Sequence, residues 1–169
     1  LTKVMVLSVR ITARFRPYEE VLRYRTGARC DLDWSSSGLS ARYGPSDKPA
    51  WKIRGRLEGL LCRSLAGLAY LEGGRKTDWF SAYLRGTIFI VDNWDDRIYS
   101  YERDAPGNFT VPAYYGRGWS LSAVSGCKLR LGRGRALKLY FRASTMAYSF
   151  MEEPKPSVSE AKAQAVVMF

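Results

Sequence analysis

The sequence predicts an all-β protein, an antiparallel up-and-down transmembrane β-barrel or the C-terminal part of one, with about 8–10 strands. Three observations predict it. Apolar and polar residues alternate at period two along most of the chain, turn residues interrupt that alternation, and no stretch has the 3.6-residue period of an amphipathic helix. Successive strand side chains point to opposite faces, so each alternating run has one apolar and one polar face.

The first run, Val4 to Arg16, sets Met5, Leu7, Val9, Ile11, Ala13 and Phe15 against Ser8, Arg10, Thr12, Arg14 and Arg16. The second sets Leu22, Tyr24, Ala28, Cys30, Leu32 and Trp34 against Arg23, Arg25, Arg29, Asp31 and Asp33. The third places Trp51, Ile53, Leu57 and Leu61 opposite Lys52, Arg54, Arg56 and Glu58. Phe80–Ile90, Trp119–Leu131, Leu137–Ala147 and Ala161–Phe169 repeat the pattern, with Arg85, Lys128, Arg130, Lys138 and Arg142 on their polar faces. Two weaker strands, 38–43 and 65–71, bring the expected number to nine. Breaks fall at Arg16–Glu20, Ser35–Ser37, Gly44–Pro49, Gly73–Lys76 and Gly132–Gly134. The exception is a long segment, 92–118, read as an extracellular loop.

Alternation also fits a soluble sandwich, and four features favour a membrane barrel, in which the apolar face meets lipid and the polar face lines the lumen. The apolar faces are nearly free of charge. Strands often exceed the ~9–11 residues that cross a bilayer when tilted. All five Trp lie at strand ends or in the long loop, as aromatic girdles require. The last run ends in Phe169, similar to the C-terminal insertion signal of outer-membrane barrel proteins. Nine strands would place the two chain ends on opposite sides, whereas such barrels normally have an even number. Together with the start at Leu1 and the lack of a signal peptide, this suggests a mature form or a C-terminal fragment.

The run Leu84–Tyr99, continuing through Tyr101–Phe109 and Val111–Gly118, resembles the C-terminal barrel region of Bacteroidota outer-membrane proteins. Such proteins are often recognised by an upstream helix-hairpin-helix segment, which this sequence does not contain. The resemblance covers about residues 65–169 and implies a barrel fold, a bacterial outer-membrane location and no catalytic residues. It also implies outer-membrane lipid, the barrel-insertion machinery and other envelope proteins as partners.

The composition excludes whole classes of chemistry. With no His, imidazole triads and His metal sites are out, and three Cys without CxxC spacing support neither a disulfide framework nor zinc. No cofactor and no catalytic residue is expected. A net charge of +11 favours anionic partners. The basic face, comprising Arg10, Arg14, Arg23, Arg25, Arg29, Lys52, Arg54, Arg56, Arg85, Lys128, Arg130, Lys138 and Arg142, reads in two ways. Either it is cross-braced by acidic residues, or its surplus is met by water-borne anions, an acidic plug or an anionic ligand, as in an anion-favouring channel. In the long loop, Trp94, Asp95, Asp96, Tyr99, Tyr101, Tyr114 and Tyr115 are binding candidates for calcium, sugars or a protein partner. The plainer expectation is a loop packed on itself, with its Asp side chains paired to Arg97 and Arg103. The rival from another class is a soluble basic β-barrel binding single-stranded nucleic acid. Basic residues spread over nearly every strand make that partner less fitting than an enclosed lumen.

Overall fold

The computed structural model describes residues 2–16, 23–37, 50–61, 64–132, 135–150 and 155–168. For β1 and β2, Asp31 apart, this description is of backbone and register. Eight long antiparallel strands form one sheet: β1 (Thr2–Arg16), β2 (Arg23–Ser37), β3 (Ala50–Leu61), β4 (Leu65–Lys76), β5 (Phe80–Val91), β8 (Gly116–Gly132), β9 (Arg135–Tyr148) and β10 (Lys155–Met168). Each pairs with its neighbour in sequence, giving an up-and-down meander whose edges are β1 and β10. The short strands β6 (Ile98–Tyr99) and β7 (Ala113–Tyr114) pair with each other between β5 and β8. The predicted all-β, up-and-down class is the one observed.

Among the described residues the sheet has eight long strands, against an expected nine for the chain. The weak 38–43 segment lies outside the described residues, and β2 pairs directly with β3 from Thr26–Leu61 to Ser36–Trp51. The other weak run is a full twelve-residue strand, β4. An even number of strands brings Thr2 and Met168 to the same end of the sheet. The 92–115 connection and the β9–β10 connection share the opposite end. Gly73–Lys76, expected as a turn, completes β4, and residues 77–79 make the turn: Phe80 N donates to Thr77 Oγ1 at 3.0 Å.

The two faces of the sheet differ in burial. On β5 the odd positions Arg85, Thr87, Phe89 and Val91 are buried, while Leu84, Ile88 and Ile90 are exposed. On β8 the even positions Ser120 and Ser122 are buried and Trp119, Leu121, Leu129 and Leu131 are exposed. The same holds for β4, where Ala66, Leu68, Tyr70 and Glu72 are covered and Leu65 and Leu71 are bare. On the bare face of β4, β5, β8 and β9 the charges (Arg75, Arg117, Arg135) all sit at strand ends. Trp51, Trp79, Trp94 and Trp119 are exposed there or at the ends, the first two at the short-turn end and the last two at the long-loop end.

Backbone approach between β8 and β9 is tight at Gly118, where a Cβ would come within 2.0 Å of the Ala147 carbonyl oxygen. Gly86, on the bare face of β5, has open space around that position. Gly118→Ala is therefore expected to cost about 1–3 kcal/mol of stability, and Gly86→Ala less than about 0.5 kcal/mol, by urea unfolding followed by tryptophan fluorescence.

Candidate functional site

The covered face is closed over by the segment between β5 and β8. It leaves β5 through a short 3-10 turn, Trp94–Asp96, and then forms a narrow hairpin. Ile98 and Tyr99 pair with Tyr114 and Ala113, Glu102 bridges Thr110, and Asn108 N closes the tip on the Ala105 oxygen at 3.0 Å. Gly107 at the tip has φ +88°, a conformation glycine adopts without strain. Within this hairpin Ile98, Ser100 and Glu102 are buried, while Tyr99 and Tyr101 are exposed. One edge of the hairpin thus points into the sheet, so the segment 92–115 lies as a plug over the covered face, and residues 116–118 belong to β8.

An apolar cluster seats the plug at the long-loop end. Ile98 and Tyr114 meet Leu60, Leu68, Phe89, Val91 and Tyr148, with the Phe89 and Tyr114 rings 5.1 Å apart. Burying Ile98 alone contributes about 1.5–3 kcal/mol. Asp96, fully buried, anchors the other end of the turn by accepting from Ser64 N at 2.9 Å and Ser64 Oγ at 2.7 Å.

Deeper along the face the contacts are charged. Arg142 and Glu102 are 3% and 2% exposed and pair at 2.6 Å, while the second Arg142 nitrogen donates to Glu160 at 2.8 Å. Glu102 also accepts from the Tyr114 hydroxyl. Arg103 donates to Glu72 at 2.6 Å and lies 4.0 Å over the Tyr83 ring. Arg85 donates to the Tyr101 carbonyl and the Ser100 hydroxyl, both at 2.7 Å, and stacks 3.6 Å over Tyr70. Asp104 is 3.8 Å from Lys162. At Arg142 and Lys162 the hairpin supplies the acid and the sheet the base, whereas at Glu72 the sense is reversed and Arg103 of the hairpin supplies the cation.

Electrostatics in the plug follow from these contacts. Burial alone would raise the Asp104 carboxyl, but bonds from the Thr110 hydroxyl and the Ala105 N–H, with Arg142 and Lys162 nearby, hold it below the usual range. Asp92 is held low chiefly by its hydrogen bonds from Arg117, at 2.6 and 2.9 Å. Burial, followed by the adjoining Glu102, pushes the Tyr114 hydroxyl well above its ordinary value.

Of the predicted basic residues, Arg85 and Arg142 are fully enclosed and bonded to the plug. Arg54 and Arg56 are half-buried, and Arg56 pairs with Asp31 at 2.6 Å. Lys128 and Lys138 are half-buried and directly opposite each other, whereas Lys52 and Arg130, near strand ends, are exposed. Arg10 faces Arg29 and Arg14 faces Arg25 in the β1–β2 register, with Arg23 opposite Arg16. Phe169 lies outside the described residues.

The loop candidates divide. Trp94, Tyr99 and Tyr101 are exposed and Asp95 and Tyr115 half-buried, but Asp96 and Tyr114 are fully buried and belong to the plug's anchorage. The loop does not simply pack on itself: Arg103 reaches Glu72 on β4, and Asp92 reaches Arg117 on β8. Among the described residues no three His, Cys, Asp or Glu side chains converge as a metal site. Glu102, Asp104 and Ser100 were missed, although the alternation Ile98–Ser100–Glu102 carries the signal for an inserted strand. No protein-family model, curated protein or solved structure matches this chain.

Arg142→Met leaves Glu102 buried without its cation and is expected to cost about 3–5 kcal/mol. Trypsin cleavage after Arg97 and Arg103 should then outpace that of the parent chain, and adding Glu102→Gln should recover part of the loss. Asp104 gives a pH dependence. Its lowered value stabilises the plug above the ordinary aspartate value of 3.8, and that contribution is lost as pH falls through the lower folded-state value. Hydrogen exchange, corrected for intrinsic rates, should show residues 98–114 losing protection below that pH before β5 and β8 do.

Proposed function

We propose that this chain is a non-enzymatic β-barrel protein of a bacterial outer membrane, with its lumen filled by its own 92–115 hairpin. The supporting observation is the inverted burial of the sheet. Its charge-poor apolar face is the exposed one, with Leu57, Leu71, Leu84 and Ile88 each more than half exposed, while Arg85 and Arg142 on the other face are 3% exposed. A soluble protein rarely leaves so broad an apolar surface bare, and hydrocarbon is the solvent that suits it. Among the described residues no helix is long and apolar enough to cross a membrane. Strands of 12 to 17 residues are long enough to cross when tilted.

Closure into a barrel requires β1 to meet β10, and seven successive antiparallel steps leave those two strands antiparallel to each other, the sense that closure needs. The partners that follow are outer-membrane lipid, the machinery that inserts barrels, and other envelope proteins. The plug favours a barrel subunit of an envelope assembly over a freely conducting anion channel, because it occupies the basic face such a channel would use. The nucleic-acid reading needs those cations on an accessible platform, and Arg85, Arg103 and Arg142 are already engaged within the fold.

Fractionation tests the proposal. The full chain should stay with membranes until detergent is added and should migrate differently on gels before and after boiling. Ile88→Arg, on the bare face, should cost about 2–4 kcal/mol in bilayers. A chain that is soluble without detergent and binds oligonucleotides with steep salt dependence overturns it.

A further inference from the structure

The plug leaves the short-turn end of the covered face to a different group of residues. Lys76 stands opposite Ser81, Ser81 opposite Gly126, Gly126 opposite Tyr140, and Lys128 opposite Lys138. These side chains share one face and line a cavity of about 240 Å³. Two ammonium groups directly across an antiparallel pair repel one another. Among the described residues no carboxylate pairs with Lys76, Lys128 or Lys138. The carboxylate lining the cavity is Asp78 in the turn, so three cations meet one anion. Gly126 forms the floor, since a Cβ there would come within 2.9 Å of the Tyr140 ring and 3.0 Å of Ser81 Oγ.

We propose that this cavity binds a phosphate-class oxyanion between Lys76, Lys128 and Lys138. Ammonium groups offer three donors each and no acceptor, and the Ser81 and Tyr140 hydroxyls add donors that can turn toward the same centre. Such a set needs a ligand with several acceptor oxygens and negative charge, and a bound oxyanion relieves the Lys128–Lys138 repulsion. The arrangement is the point-charge form of phosphate recognition that lysine provides. The site deepens the proposed function and rests on it for its place inside the lumen.

Titration of the purified full chain with inorganic phosphate at constant ionic strength tests it. Saturable binding is expected. It should weaken about tenfold or more in Lys128→Met and Lys138→Met, and stay unchanged in Arg75→Met, which removes a cation from the opposite face of the same strand end. A second measurement needs no variant: phosphate should slow acetylation of Lys76, Lys128 and Lys138 in the parent chain. Protection by free phosphate assigns the site to a soluble oxyanion, and protection only by phosphatidylglycerol vesicles assigns it to a lipid headgroup. Protection by neither, or equal binding in the double Lys variant, overturns the site. A chain that binds phosphate yet stays out of membranes keeps the site and overturns the barrel instead.

Discussion

Enclosed guanidinium groups govern the arrangement of the covered face. A buried cation without a partner is costly, and its partner must come from a neighbouring strand or from a segment laid over the sheet. Both sources are used. Across β2 to β5 the register aligns Asp33, Arg54, Glu72 and Arg85 in one row of alternating sign. The plug supplies the rest, with Glu102 on Arg142 and the Ser100 and Tyr101 oxygens on Arg85. Arg103 adds a bond in the reverse direction, from plug to Glu72.

This chemistry gives the hairpin two kinds of hold. The apolar seat around Tyr114 and Phe89 is non-directional and fixes depth, while the ion pairs are directional and fix register. The face therefore divides by position. The long-loop end is apolar and buried, the middle is charged and paired, and the short-turn end keeps its lysines without a carboxylate partner among the described residues. A chain with a +11 surplus cannot neutralise itself throughout, and among the described residues Lys76, Lys128 and Lys138, without a carboxylate partner, stand at the short-turn mouth.

Much of the sheet was legible because its alternation is regular: along 84–91 of β5 and 116–122 of β8 buried and exposed side chains follow the parity of the residue number. β4 was weak for a physical reason. Its covered positions Ala66 and Leu68 are apolar because they receive the plug, so both faces look apolar in sequence. The nine-strand expectation came from counting 38–43, a segment with turn residues on both sides. The plug was hidden by its length and its Pro and Gly content, which mark a loop without saying which way it folds. Only the spacing of Ile98, Ser100 and Glu102, and the acidic character of Glu102 and Asp104 against a basic sheet, point inward. An acidic plug was among the expected ways of meeting the surplus, yet the residues forming it could not be chosen without the fold. The basic residues were legible as a face, but their separation into enclosed, paired and exposed members depends on where the plug ends.

Contact between the bare face and hydrocarbon is the central claim, and nitroxide scanning along β5 in lipid bilayers measures it most directly. Labels at positions 84, 88 and 90 should collide readily with oxygen and poorly with a water-soluble nickel chelate. Labels at 85, 87 and 89 should be shielded from oxygen, giving a period of two. High nickel accessibility at 84, 88 and 90 would contradict lipid contact, because that face would then lie in water.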